Sequence, residues 1–277
     1  MKKVCAITMA RNDEFFLNRW IKYYGAELGE ENLYIYLDGV DQPIPSNAGK
    51  ANVIHCNRIA GQVVVAEKKR LTFLSEQASK HLETYDLVIG ADADEFLLVD
   101  PACNMSLVEY LSSIRIKSSI SGLGVDVGQK PDEEKVLDAE KMFLQQRSYA
   151  HISPKYTKAS VIAKPVRWGS GFHRIKFRNY HIDPFLYLFH FGSVDTEMIK
   201  MRFQDKDRIE TGRRKHIQKR ARTIDIIVKN TVRNNEKWFA LARVLQTYLR
   251  QVYAWNKPTM LGWKLIMRIP ERFKSIV

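Results

Sequence analysis

The spacing of apolar residues changes character several times along the chain. Positions 4–9 (VCAITM) form the short continuous apolar run expected of a buried strand. Over 15–28, Phe16, Leu17, Trp20, Ile21, Tyr24 and Leu28 recur at helical spacing, with Asn12 or Asp13 able to cap the start and Gly29 to stop the end. Strand-like runs follow at 32–37 and 52–56. The 65–85 stretch reads as a long amphipathic helix, with Leu71, Leu74, Ala78 and Leu82 on one side. Another strand-like run, 87–90, comes next. Strand, helix, strand, strand, helix, strand predicts an α/β fold: a mostly parallel, mixed sheet with helices on both faces.

Beyond Pro101 the pattern loosens. A helix is expected over 106–116, a glycine-punctuated strand over 118–127 and an exposed polar segment over 130–141. Runs at 161–168 and 174–177 read as strands flanking the glycine-rich stretch that holds His173. An aromatic strand at 187–192 carries His190 in its middle. From 196 onward the chain reads as mainly helical, which divides it into a first domain over 1–196 and a helical, basic region over 197–277.

Charge sharpens that division. The net charge of +13 falls wholly on 197–277, which has 20 Lys/Arg against 7 Asp/Glu, while 1–196 carries 24 of each sign. A hydrophobic content of 45% and a charged content of 27% are those of an ordinary folded domain rather than a disordered chain. Three widely spaced cysteines form neither a disulfide framework nor a zinc pattern, which suits a reducing compartment. The first apolar run is too short for a signal peptide, and no run has the length of a spanning helix. A cytoplasmic placement is expected, peripheral on the inner face of the cytoplasmic membrane if the basic tail meets lipid.

Candidate chemistry gathers behind the 87–90 run, where Asp92, Asp94 and Glu95 follow one another closely. Carboxylates repel, so three at the mouth of an apolar strand are costly unless a cation is shared. Arg11–Glu14, Asp38 and Asp92–Glu95 all fall just past predicted strand ends, the edge where open α/β sheets bind ligands. A bare D-x-D is more often a solvated turn; this setting favours a hard cation, Mn²⁺ or Mg²⁺, between Asp92 and Asp94. Neither GxxxxGK[ST] nor GxGxxG occurs, so that cation would do much of any phosphate binding.

Arg11-Asn12-Asp13-Glu14 with Leu17 and Trp20-Ile21, then Asp38, then Asp92-Ala93-Asp94-Glu95-Phe96 make a joint pattern. In these residues the N-terminal half resembles the glycosyltransferase family 2-like enzymes of the GT-A fold. The resemblance is to the branch with R-N-E-x-x-x-L-x-E-W-I near the start and D-x-D-E-F later. It covers roughly 4–100 well and continues more faintly through Gly171-Phe172-His173 and His190-Phe191 to Asp195. Asp13 stands where Glu is commoner, with Glu14 next to it. The resemblance implies metal-dependent transfer of a sugar from a nucleotide diphosphate-sugar, most often UDP-linked, to an acceptor hydroxyl. The setting it implies is bacterial cell-surface polysaccharide or lipopolysaccharide assembly, with inversion at the anomeric carbon. Ala10, Arg11 and Asn12 would border the nucleotide, and Asp38 would contact base or ribose. Asp92 and Asp94 would flank the metal and diphosphate, His190 would complete the metal shell, and His173 would touch diphosphate or acceptor. A core histidine at 190, a loop histidine at 173 and an ordinary Asp-Gly turn at 38 are the plain alternatives. Inversion needs a carboxylate to take the acceptor proton; Glu95, Asp126 and Asp195 are candidates, with Asp126, between Gly124 and Gly128, preferred.

In the tail, Arg213-Arg214-Lys215 and Lys219-Arg220-Ala221-Arg222 precede Trp238, Phe239, Tyr248, Tyr253, Trp255 and Trp263. Basic residues interleaved with aromatics suit anionic lipid and a lipid-linked glycan acceptor, or an acidic polysaccharide. A helix face packed by its aromatic side is the plain alternative. From another chemical class, a Mg²⁺-dependent phosphohydrolase or nuclease could use the D-A-D-E cluster. No second acidic cluster accompanies it, so nucleic acid is not the expected partner. A non-catalytic adaptor is a third reading, disfavoured by the intact acidic cluster.

Overall fold

The computed structural model describes residues 1–204 and 214–277. Its centre is strand β1 (Val4–Ala10), which pairs in parallel with β2 (Leu33–Asp38) on one side and β4 (Leu87–Gly90) on the other. The edge strand β3 (Asn52–Cys56) adds in parallel to β2. Every residue of β1 is buried because both faces of this block are covered. Val4, Ala6 and Ala10 face helix α1 (Glu14–Leu28). Cys5, Ile7 and Met9 face helix α2 (Val63–His81). α1 buries Phe16, Leu17, Trp20, Ile21, Tyr24 and Leu28, the stripe its spacing predicts, and ends at Gly29 with φ of 87°. The expected α/β architecture, with helices on both faces of a largely parallel central block, is the one observed.

Beyond β4 the sheet turns antiparallel. Strand β8 (Val161–Ile162) joins β4 to β6 (Ser119–Gly128), and β6 pairs antiparallel with β7 (Tyr149–Ile152). β9 (Ile182–Ser193) lies parallel to β6 and holds β5 (Glu95–Val99) on its other side. Helix α3 (Leu107–Ser113) opens with a reciprocal cap between Ser106 and Glu109. The strands expected over 161–168 and 174–177 shrink to β8 and a single Trp168–Ile175 bridge. Pro165 cannot donate to a ladder, and Trp168 and Phe172 turn inward to pack over α2.

The tail is helical at Thr196–Gln204, Arg214–Lys229 and Lys237–Tyr248, and it also returns to the sheet. β10 (Val232–Arg233) pairs with β13 (Leu265–Arg268), and β13 pairs antiparallel with β7, so the last residues extend the sheet begun by the first. A separate hairpin, β11 (Arg250–Gln251) and β12 (Ala254–Pro258), lies between them. Of the basic run, Arg213 and the side chains of 214–221 lie outside the described residues. Among the described residues no helix is long and apolar enough to cross a membrane.

Candidate active site

β1, β2 and β4 run parallel, so their C-terminal ends share one edge, and the polar clusters collect there. Past β1 and β2 a cavity of about 250 Å³ is lined by Ala10, Arg11, Asn12, Leu37, Gln42 and Pro43, among others. Arg11 donates to the Asp38 carbonyl at 2.8 Å and to both carboxylate oxygens of Asp41, at 2.9 and 2.8 Å. Asn12 takes a positive φ of 49°, its amide donates to Gln42 Oε1 at 2.7 Å, and its Oδ1 accepts from Gln42 Nε2 at 3.0 Å. The Asp38 carboxylate accepts from the Ile59 amide at 2.6 Å, which fixes the loop after β3. Ala10, Arg11 and Asn12 thus form one wall, while Asp38 contributes its carbonyl to Arg11 and its side chain to that loop.

The acidic cluster sits in the turn from β4 to β5. Asp92 accepts from Arg70 of α2 at 2.8 Å and from Lys158 at 3.1 Å. Arg70 is also held by Glu67, whose carboxylate takes the Gly171 amide at 2.8 Å. Lys158, 2% exposed, reaches Glu95 as well. Burial alone would raise the Asp92 pKa, but Lys158 and Arg70 hold it well below the ordinary carboxylate range. Glu95 goes the other way: burial, with Asp92 and Asp94 adding, outweighs Lys158 and pushes it up to about 7.

Asp94 and Glu95 meet His190 of β9. One ligand atom from each of the three lies within 4.8 Å of the others, and all three residues are buried. His190 Nε2 is 3.6 Å from Asp94 Oδ2 and, fully buried, has no hydrogen-bond partner among the described residues. An orphaned imidazole nitrogen beside buried carboxylates is the donor set of a divalent cation. Gly192 keeps the adjoining space open: a Cβ there would lie 2.6 Å from His190 Nε2 and 3.0 Å from Asp94 Oδ2. The residues present therefore fit a metal ion.

Register explains how His190 is aimed. Glu95 pairs with His190, His190 with Asp126, and Asp126 with His151, one row across β5, β9, β6 and β7. His190 Nδ1 donates to Asp126 Oδ1 at 2.7 Å, Thr223 donates to Oδ2 at 2.7 Å, and the Tyr156 ring stacks on the imidazole at 3.8 Å. This fixes the tautomer and leaves Nε2 facing the carboxylates. His151, at the far end of the row, is pushed down to about 4 by burial. Arg202 of the Thr196–Gln204 helix joins the two halves of the site, donating to Asp13 at 2.7 Å and to Asp94 at 3.4 Å.

Of the residues expected from the sequence, Asp94, Glu95 and His190 come together, and Asp126 stands behind His190. Asp92 lies beside that group, in the hands of Arg70 and Lys158. His173 is half-buried, its Nδ1 2.7 Å from the Lys155 carbonyl, and burial with Lys158 and Lys257 nearby pushes it down to about 3. Asp195 caps the Thr196–Gln204 helix through the Glu197 and Met198 amides and holds Arg147 at 3.1 Å in the core. Arg70, Tyr156, Lys158, Gly192, Arg202 and Thr223 were not anticipated. No motif marks them; the β-ladder, the packing of α2, the segment before β8 and the helices Thr196–Gln204 and Arg214–Lys229 bring them to the acids.

Neither a family model nor a curated protein sequence matches the chain. Among solved structures, the crystal structure of mannose-1-phosphate geranyltransferase from Thermus thermophilus aligns at 10% identity over 80% of this chain and 66% of that one, with a TM-score of 0.31. A glycosyltransferase involved in the glycosylation of the major capsid of PBCV-1 aligns at 9% identity over 44% of this chain and 50% of that one, with a TM-score of 0.25. The chain thus spans just under two thirds of the first structure and half of the second. Similarity this low adds nothing to what the site's own geometry says.

Proposed function

We propose that this protein is a metal-dependent glycosyltransferase of GT-A type, moving a sugar from a nucleotide diphosphate-sugar, with UDP as the expected nucleotide, to an acceptor hydroxyl. The observation that carries the reading is the orphaned Nε2 of His190 facing buried Asp94 and Glu95 on the sheet edge that also holds the Ala10–Asn12 cavity. Asp94, Glu95 and His190 would hold Mn²⁺ or Mg²⁺, which when bound supplies the positive charge that a diphosphate leaving group needs. Arg11 and Asn12 would border the nucleotide. Arg70 and Lys158 place two further cations next to Asp92, where phosphate oxygens could exchange with its carboxylate. As for the base, Asp126 has one oxygen on His190 and the other on Thr223, which supports a positioning role. Asp195 serves a helix start. Glu95 faces the cluster, where as a ligand of the bound cation it would give up its proton, so it is assigned to the metal rather than to the acceptor hydroxyl. A single metal-ligating group among the described residues favours this reading over two-metal hydrolysis of phosphodiesters.

The test is a thermal-shift series with UDP, other nucleoside diphosphates and Mn²⁺, followed by a donor-hydrolysis screen. UDP should raise the melting temperature only with Mn²⁺ present, and at least one nucleotide sugar should be hydrolysed slowly. Stabilisation indifferent to the metal, or cleavage of plasmid DNA in its place, would overturn the proposal.

A further inference from the structure

Exposed apolar side chains gather on one part of the molecule. Helix Lys237–Tyr248 buries Phe239, Ala242 and Gln246, yet presents Leu241, Val244 and Tyr248 to solvent along its other side. Val252 and Tyr253 form the tip of the β11–β12 hairpin, Val252 fully exposed, and Trp255 stands out from β12. Leu261 and Trp263 protrude from the next turn, which Trp263 ties to the helix through Trp238, ring centroids 5.7 Å apart. Phe177, 88% exposed, belongs to a loop pinned to β12 by Asn256, whose amide donates to the Ile175 carbonyl at 2.7 Å.

Basic charge dominates this stretch of chain. Residues 237–270 contain six Lys/Arg and no Asp/Glu, and Arg174, Lys176 and Arg178 flank Phe177. Lys237 and Lys264 are exposed. Lysine is depleted at protein–protein interfaces, whereas lysine and arginine beside Trp, Tyr and aliphatic side chains on protruding turns match the lipid headgroup layer. Single-stranded nucleic acid would call for stacking rings along a basic groove, a pattern that Val252 and Leu261 at the tips do not supply. The surface also adjoins the acidic site. Lys257 of β12 neighbours His173, His173 touches the Lys155 carbonyl, and Lys158 of that same segment reaches Asp92 and Glu95.

We propose that the β11–β12 hairpin, the turn after it, the exposed side of helix Lys237–Tyr248 and the Phe177 loop dock on an anionic lipid bilayer, presenting a membrane-anchored acceptor at the rim of the acidic site. The acceptor clause rests on the glycosyltransferase reading; the docking does not. Vesicle co-sedimentation of the intact protein tests it, using phosphatidylcholine with and without phosphatidylglycerol. Binding should be at least about tenfold tighter with phosphatidylglycerol and should weaken as salt rises. Val252→Glu/Tyr253→Glu should lower it about tenfold or more at an unchanged melting temperature, and Lys237→Glu/Lys264→Glu should remove the preference for the anionic lipid. No sedimentation, equal binding to neutral vesicles, or wild-type binding by both variants would overturn the proposal. So would tighter capture by dextran sulfate that ignores Val252→Glu/Tyr253→Glu, since the surface would then belong to an acidic polymer. Sedimentation needs no donor, so the two readings fail separately: an inactive protein that sediments refutes only the transferase, and an active one left in the supernatant refutes only the docking.

Discussion

Asp92 and Asp94 are separated by one alanine and stand in different surroundings. Asp92 faces α2 and meets two cations, Arg70 at 2.8 Å and Lys158 at 3.1 Å. Asp94 points across the β5–β9 ladder to His190 Nε2, 3.6 Å away, which makes no hydrogen bond among the described residues. Asp92 is matched by two cations packed against it; Asp94 has Arg202 at 3.4 Å on one side and on the other joins Glu95 and His190 in a ligand set. A D-x-D motif read as two equivalent metal ligands misses this division, because side chains two apart in a turn need not share a partner.

The largest test of the difference is Lys158→Met. Lys158 is 3% exposed at its side chain and Glu95 1%, so the variant leaves buried carboxylates without their shared cation. A loss of about 3–5 kcal/mol in unfolding free energy is expected, read by urea titration of the metal-free protein. Added Mn²⁺ should recover part of it by supplying positive charge to Glu95. A variant that unfolds at the wild-type urea concentration would show that Arg70 alone balances the whole cluster.

Gly192→Ala attacks the other acid. The new methyl would sit 2.6 Å from His190 Nε2 and 3.0 Å from Asp94 Oδ2, closer than those atoms tolerate. Mn²⁺ affinity should fall by about 10–100-fold, with donor hydrolysis falling in step. Isothermal titration measures the first, and a melting curve of the metal-free variant shows whether the fold is intact. Unchanged Mn²⁺ affinity would mean the cation sits elsewhere, with Asp92 the next residue to examine.

Legibility followed the same divide. The parallel block was readable because β1, α1, β2 and β4 each carry one strong period, and both core faces of β1 fall out of simple alternation. Asp94, Glu95 and His190 could be named because acids at a strand end and a histidine inside an aromatic strand are visible in one dimension. Arg70 and Lys158 could not: each is an ordinary basic residue until α2 packs and the 153–162 segment folds back. The misjudged strand at 161–168 has the same origin, since Trp168 looks like a strand residue but, together with Phe172, fills the core from a loop. β13 is short, and only its pairing with β7 and β10 reveals it.

Protons supply the finest discrimination, between Asp92 and Glu95. Glu95 is raised from 4.5 to about 7 by burial, with Asp92 and Asp94 adding, while Asp92 is held low. For a carboxyl raised in the folded state, the native protein keeps a proton that the unfolded chain has already released between the two pKa values. Stability of the metal-free protein should therefore fall, not rise, as pH climbs from about 4.5 to about 7. A cation that binds Glu95 must displace that proton, so Mn²⁺ affinity should climb by about tenfold per pH unit below that pKa and flatten above it. Glu95→Gln should remove this slope, whereas Asp92→Asn should keep it, because Asp92 has already shed its proton throughout the range. Isothermal titration at stepped pH reads both. A slope that survives Glu95→Gln and disappears with Asp92→Asn would reverse the assignment, making Asp92 the acid that waits for the metal and Glu95 the one whose charge Lys158 already meets.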